Sequence, residues 1–247
     1  MQNKVFLTMD EAVADIPDGV TIMIPGFGGV GQPKNLVAAL YRQGAKDITG
    51  ISNGAGGLNV LSAEPDAPPD MGSIIAAKRV RKMICAFTAP THPSRKTDFD
   101  AQYEAGEIEA ETVPQGTLAE RIRAGGAGIP AFYTPTSVGT ELAVDKEHRE
   151  FNGRTYVLEH ALFADYTLVR AWKADSFGNL IFRRSQRNFN PIMATAAQCT
   201  IVEVEEPIVE PGEFDPDTIH LSGIYVSRIV KIPPPPEGIW DKPRPIP

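Results

Sequence analysis

The sequence predicts an α/β fold, an open three-layer arrangement in which a mostly parallel sheet is covered by helices on both faces. Three observations carry that expectation. A β-branched run at Val20–Ile24 feeds straight into a glycine-dense turn and then a helical stretch. Strand, loop and helix units of this kind recur as far as Gly126, which favours parallel strands joined by helical crossovers. From Phe151 onward the pattern shifts to extended segments around a tight turn, predicting a smaller β-rich subregion in the same domain. At 247 residues and 42% hydrophobic content, the chain can bury one sizeable core. We expect a single domain over residues 1–232 and a proline-rich extended arm over 233–247.

In order along the chain, Thr8-Met-Asp-Glu11 has capping-box spacing and predicts a helix through Ile16. Val20–Ile24 is a buried strand, and Asn35–Tyr41 a helix opened by Pro33. Ile48–Ser52, Lys82–Phe87 and Ile108–Val113 are further strands, and Thr117–Ala124 is a helix closed by Gly125-Gly126. Phe151-Asn-Gly-Arg154 is a hairpin turn; Asp165–Trp172, Thr200–Glu205 and Ile224–Ile232 complete the strands. Ala63–Asp70 is a proline-rich surface loop. The Pro233–Pro236 run suits neither helix nor sheet, so the tail is expected to extend as a polyproline arm, free or laid along a partner.

Composition excludes several functions. A net charge of −7 argues against nucleic acid, which favours a basic face. No apolar run is long enough to span a bilayer, and the N-terminus lacks a charged-then-apolar signal, so a cytoplasmic protein without membrane contact is expected. Cys85 and Cys199 sit in apolar runs and are expected as reduced core thiols. The four histidines, His92, His148, His160 and His220, stand far apart without metal-ligand spacing. Glu107, Glu109 and Glu111 alternate along a strand-like run and are expected on a solvated face.

The turn Pro25-Gly-Phe-Gly-Gly-Val-Gly31 holds the strongest functional signal. Glycines there let backbone N–H groups approach a ligand, and the following helix N-terminus adds partial positive charge, a combination that suits a phosphate. Gly26, Gly28 and Gly31 satisfy G-x-G-x-x-G, but a dinucleotide fingerprint also needs an acid at the end of the second strand. The nearest acid, Asp47, lies at that strand's other end. Tight helix packing is the other use of such glycines. A second flexible stretch, Asn53-Gly-Ala-Gly-Gly57, would share the same sheet end, and two adjacent loops favour a site.

These residues resemble the opening signature of the family I CoA-transferases, the 3-oxoacid and 3-oxoadipate CoA-transferases: Asp-Gly, apolar strand, Gly-Phe-Gly and Gly-x-Pro. The similarity continues in family order through Ile51-Ser-Asn-Gly-Ala-Gly56, Val113–Thr136, Tyr156–Glu159, Ala174–Leu180, Asn188–Ala194 and Ile224–Val226. It spans residues 5 to about 231 and is closest in Pro114-Gln-Gly-Thr-Leu118 and the stretch after it.

The resemblance implies the A subunit of a succinyl-CoA-type enzyme. In this family a glutamate attacks the acyl-CoA thioester, passes through a mixed anhydride and carries CoA as its own thioester to the acceptor acid. That glutamate belongs to a Ser-Glu-Asn-Gly motif absent here, so the nucleophile is expected on a B subunit in a heterodimer or heterotetramer. Coenzyme A thioester is then a substrate, with no permanently bound cofactor and no metal. The resemblance gives Asn53 and Gln115 the support of the substrate and its oxyanion, through amide donors that carry no charge to desolvate. It gives Pro25, Gly26, Phe27, Gly28, Gly29, Val30 and Gly31 contact with CoA. Pro25 and Gly54 depart from the family pattern, as do the stretches at 63–70 and 88–97; Arg95 and Lys96 are solvated loop charges or offer positive charge to a dicarboxylate. A CoA-dependent hydrolase or ring-opening enzyme, and a non-catalytic CoA-binding subunit, are the alternatives on the same fold.

Overall fold

The structure is a computed structural model that describes residues 3–56, 69–88 and 96–233. Most of the 63–70 and 88–97 stretches, including Arg95, and the arm from residue 234 lie outside these. The strands are β1 (Val5–Phe6), β2 (Thr21–Ile24), β3 (Ile48–Gly54), β4 (Val80–Phe87), β5 (Glu109–Thr112), β6 (Ala131–Thr134), β7 (His148–Phe151), β8 (Arg154–His160), β9 (Ala164–Ala171), β10 (Lys173–Ala174), β11 (Leu180–Ile181), β12 (Ala197–Val204) and β13 (Arg228–Lys231). The helices are α1 (Met9–Val13), α2 (Lys34–Gln43), α3 (Met71–Ala76), α4 (Asp98–Glu104), α5 (Gln115–Gly126) and α6 (Asn190–Thr195).

Eight strands form one sheet in the order β1-β13-β12-β9-β2-β3-β4-β5, and every pairing is parallel. Side chains alternate between its faces. Ile22 and Ile24 of β2 join α1 to α4 in one core, whereas Met23 between them joins Leu118 and Ile122 of α5 and Met193 of α6 on the other. Each fully buried Ile, Leu or Met contributes roughly 1.5–3 kcal/mol. The expected three layers follow from this two-sided burial. A third cluster, with Val169, Val202 and Ile229 against Leu180, Phe182 and Val226, seals the far half of the sheet.

The β-rich subregion is an antiparallel sheet, β6-β8-β7. Its hairpin turns at Asn152 and Gly153, with φ of 50° and 73°, the positive pair that Asn-Gly supplies at little strain. Arg121 of α5 docks on this sheet: its Nε donates to the His160 carbonyl at 2.7 Å, and its guanidinium lies 3.8 Å from Glu159, a carboxylate only 2% exposed. Lys146 also pairs with Glu159.

Several sequence expectations shift. α1 stops at Val13, short of Ile16, although Thr8 does cap it by accepting from the Glu11 N–H at 3.2 Å. Gly125 and Gly126 lie inside α5 instead of closing it: a Cβ on either would stand 2.1 Å from the Leu162 carbonyl or the Thr195 hydroxyl. Close packing, not termination, explains that pair. Ile224 lies within a short 3-10 turn, Gly223–Tyr225, and the last strand starts only at Arg228. Glu111 is not a solvated surface acid; it is half-buried between Arg121 at 2.6 Å and Lys82 at 3.3 Å. Cys85 is fully buried, and burial pushes its thiol up to about 11; Cys199 is half-buried and raised for the same reason. No metal-ligand cluster occurs among the described residues, nor any helix long and apolar enough to cross a membrane.

Candidate active site

Strand order reverses between β2 and β9: the chain leaves β2 toward β3 and β4, and leaves β9 toward β12 and β13. In open parallel sheets, crevices for ligands form beside such a reversal at the carboxyl ends of the strands. Here the loops after β2 and β3 border a small open cleft, lined by Gly26, Gly28, Gly29, Gln32, Ser52, Asn53, Gly54, Gly56, Asp70 and Met71.

The two loops are built differently. In the first, Phe27 and Val30 pair as a miniature hairpin, each N–H donating to the other's carbonyl at 3.0 and 3.1 Å. Gly28 and Gly29 form its turn with φ of 55° and 88°. Asn188 Nδ2 donates to the Val30 carbonyl and Asn190 Nδ2 to the Gly31 carbonyl, both at 3.0 Å. Gly31 lies so close that an added Cβ would be 2.5 Å from the Gln186 carbonyl oxygen. The loop is clamped by the chain's own polar groups, with Pro25 and Gly26 buried and Phe27 and Val30 exposed at 53% and 44%.

The expected phosphate site at the α2 N-terminus is overturned by a carboxylate already there. Glu203 Oε2 accepts from the Asn35 and Leu36 N–H groups, both at 2.9 Å, and Oε1 accepts from Asn35 Nδ2 at 3.2 Å, with Arg170 Nη1 3.5 Å away. Glu203 is wholly buried, and burial pushes its carboxyl up to about 7 against the Arg170 charge and these donors. The helix thus has its anion from within the protein.

At the second loop, Asn53, next to last in β3 and 5% exposed, meets Gln115, the first residue of α5, whose Nε2 donates to Asn53 Oδ1 at 2.7 Å. The pair is 62 residues apart in sequence. Asn53 Nδ2 has no acceptor among the described residues, so its two N–H groups are available in the cleft. A hydrogen bond accepted at the amide oxygen polarises the group and strengthens its N–H as a donor. Asp70, the carboxylate lining the cleft among the described residues, caps α3 by accepting from the Ser73 N–H at 3.1 Å. Lys96, expected as a solvated loop charge or as a cation for a dicarboxylate, is exposed and paired with Glu104 at 2.8 Å.

The model for Coenzyme A transferase matches residues 6–232, and the chain belongs to that family. It is 49% identical over 227 residues to the A subunit of the probable succinyl-CoA:3-ketoacid coenzyme A transferase of Bacillus subtilis (strain 168), spanning 92% of this chain and 89% of that one. It is 46% identical over 235 residues to the A subunit of the 3-oxoadipate CoA-transferase of Pseudomonas putida, spanning 94% and 95% of the two chains. Glutaconate coenzyme A-transferase from Acidaminococcus fermentans shares the fold, with a TM-score of 0.76 over 93% of this chain and 76% of that one at 24% identity.

Sequence reasoning placed the Asn53 loop and the glycine loop at one sheet end, the resemblance added Gln115, and Gln32, Asn188, Asn190 and Glu203 were missed. Asn188-Phe-Asn-Pro191 was visible as a matching segment, but nothing in it signalled that its amides hold the glycine loop.

Proposed function

We propose that this chain is the A subunit of a heteromeric CoA-transferase that moves CoA from an acyl-CoA such as succinyl-CoA to a 3-oxoacid, acetoacetate or 3-oxoadipate. The observation that carries the reading is the Asn53–Gln115 pair: Gln115 Nε2 donates to Asn53 Oδ1, and Asn53 lines a cleft whose described acid, Asp70, is engaged as a helix cap. Such a site stabilises an oxyanion but needs its nucleophile from elsewhere. The thioester carbonyl is attacked by a glutamate of the partner subunit, and the tetrahedral oxyanion accepts from Asn53 Nδ2. Collapse expels CoA thiolate and leaves a mixed anhydride. The thiolate then attacks the glutamyl carbonyl, releasing the first acid, and the acceptor acid reverses the sequence.

The glycine hairpin serves CoA through surface more than through charge. With the Phe27 and Val30 N–H groups paired and the α2 N-terminus filled by Glu203, the loop offers the Gly28 and Gly29 N–H groups and the exposed Phe27 and Val30 side chains. These suit the uncharged part of an acyl-CoA better than its phosphates. The names of the relatives, each one subunit of its enzyme, support a two-chain enzyme.

Purified alone, the chain should transfer no CoA between succinyl-CoA and acetoacetate or 3-oxoadipate; mixed with its partner subunit it should. Turnover by the isolated chain would overturn the reading.

A further inference from the structure

A third carboxamide stands in the cleft. Gln32 lines it with Ser52 and Asn53, and the Gln32 stem lies over the glycine loop, its Cγ 2.4 Å from where a Cβ on Gly26 would be. Gly26, at φ of 133°, therefore makes room for this side chain as well as for the bend. The Gln32 carboxamide makes no hydrogen bond to any described residue, while its backbone carbonyl accepts from the Lys34 N–H at 3.0 Å. A positioned amide with unspent donors and acceptor, beside the oxyanion donors, is a reader of substrate.

We propose that Gln32 is a specificity-determining residue that hydrogen-bonds an oxygen of the acyl group two or three carbons beyond the reacting carbonyl. The proposal rests on the transferase reading above. In a ping-pong exchange, the donor and acceptor acyl groups occupy one site in turn. A succinyl group presents a carboxylate oxygen at that distance, and a 3-oxoacyl group a ketone oxygen. The shared chemistry is an acceptor oxygen of either charge. A carboxamide N–H suits both. A fixed cation would favour the dicarboxylic acyl group over the oxo one, and the described cleft lining contains no Lys or Arg.

The experiment compares wild type, Gln32→Met and Gln32→Glu, each in complex with the partner subunit. Met keeps the length and packing of the side chain and deletes the amide. Acceptors are acetoacetate and butyrate, which differ in the 3-oxo oxygen; donors are succinyl-CoA and butyryl-CoA. For Gln32→Met the expected result is a fall of about tenfold in kcat/KM with acetoacetate and succinyl-CoA, and less than threefold with butyrate and butyryl-CoA. Gln32→Glu should impair succinyl-CoA more than acetoacetate, because only the succinyl group brings its carboxylate to that end of the acyl chain. An equal fall for all four substrates in Gln32→Met would overturn the proposal in favour of loop packing, and unchanged selectivity would overturn it outright. A wild-type complex with no transfer at all would overturn the transferase reading and this proposal with it; transfer by wild type with unchanged variant selectivity would sink this proposal alone.

Discussion

The two loops at the head of the sheet contrast sharply. The first, at Pro25–Gly31, is rich in glycine and spends its polar groups on the protein: Phe27 pairs with Val30, and the Val30 and Gly31 carbonyls are held by Asn188 and Asn190. The second places Asn53 so that one end of its amide is held by Gln115 and the other is unspent. Glycine density therefore reports close backbone approach, whether the neighbour is a ligand or another loop. An amide fixed at one end and open at the other is the more direct sign of chemistry.

The largest effect that sharpens this contrast is expected within the glycine loop. Gly28 and Gly31 both have positive φ, 55° and 74°, but an added Cβ meets nothing within 4 Å at Gly28, whereas at Gly31 it meets the Gln186 carbonyl oxygen and Asn188 Nδ2. Gly28→Ala should cost about 1 kcal/mol, the left-handed backbone term alone. Gly31→Ala adds a backbone clash and should cost roughly 3 kcal/mol or more. Denaturant unfolding of both variants decides; equal losses would mean that the clamp on the first loop is soft and that the two loops differ less than their geometry indicates.

A next, comparable effect is expected in activity and belongs to the second loop. Asn53→Ala and Gln115→Ala in the assembled enzyme should each lower kcat by on the order of 10²-fold, as for loss of an oxyanion donor, with assembly intact. Because Gln115 acts through Asn53, the double variant should lose little more than either single one. Multiplicative losses would show that the two amides act separately, and unchanged kcat in both single variants would reduce the pair to loop scaffolding.

How much of this was legible follows from the range of each interaction. Strands and helices rest on local patterning, so Val20–Ile24, the Asn152-Gly153 turn and the alternation before Gly126 were readable. Asn53 and Gln115 were found by resemblance, since no local rule joins residues 62 apart. The α2 N-terminus misled because a helix start looks the same from its own sequence whether its anion is a ligand or a side chain 168 residues away, as with Asn35 and Glu203. Glu111 misled in a similar way, since alternation of acids describes a strand face but not the Arg121 that covers it.

The last expected effect concerns that internal anion and tests whether the α2 N-terminus rests on a charge or on a shape. Burial raises the Glu203 carboxyl to about 7 from an ordinary 4.5. A carboxyl raised in the folded state contributes stability that is fully present below its unfolded value and is lost as pH rises through the folded one. Wild type should therefore lose stability relative to Glu203→Gln between about pH 4.5 and 7, with the difference level above that window. Glutamine keeps the length and an acceptor for the Asn35 and Leu36 N–H groups, so the comparison isolates the ionisation while the packing stays. Parallel unfolding midpoints across that range, with no divergence between the two proteins, would mean that Arg170 and the helix donors keep Glu203 ionised throughout, and that the α2 N-terminus is seated on a permanent charge.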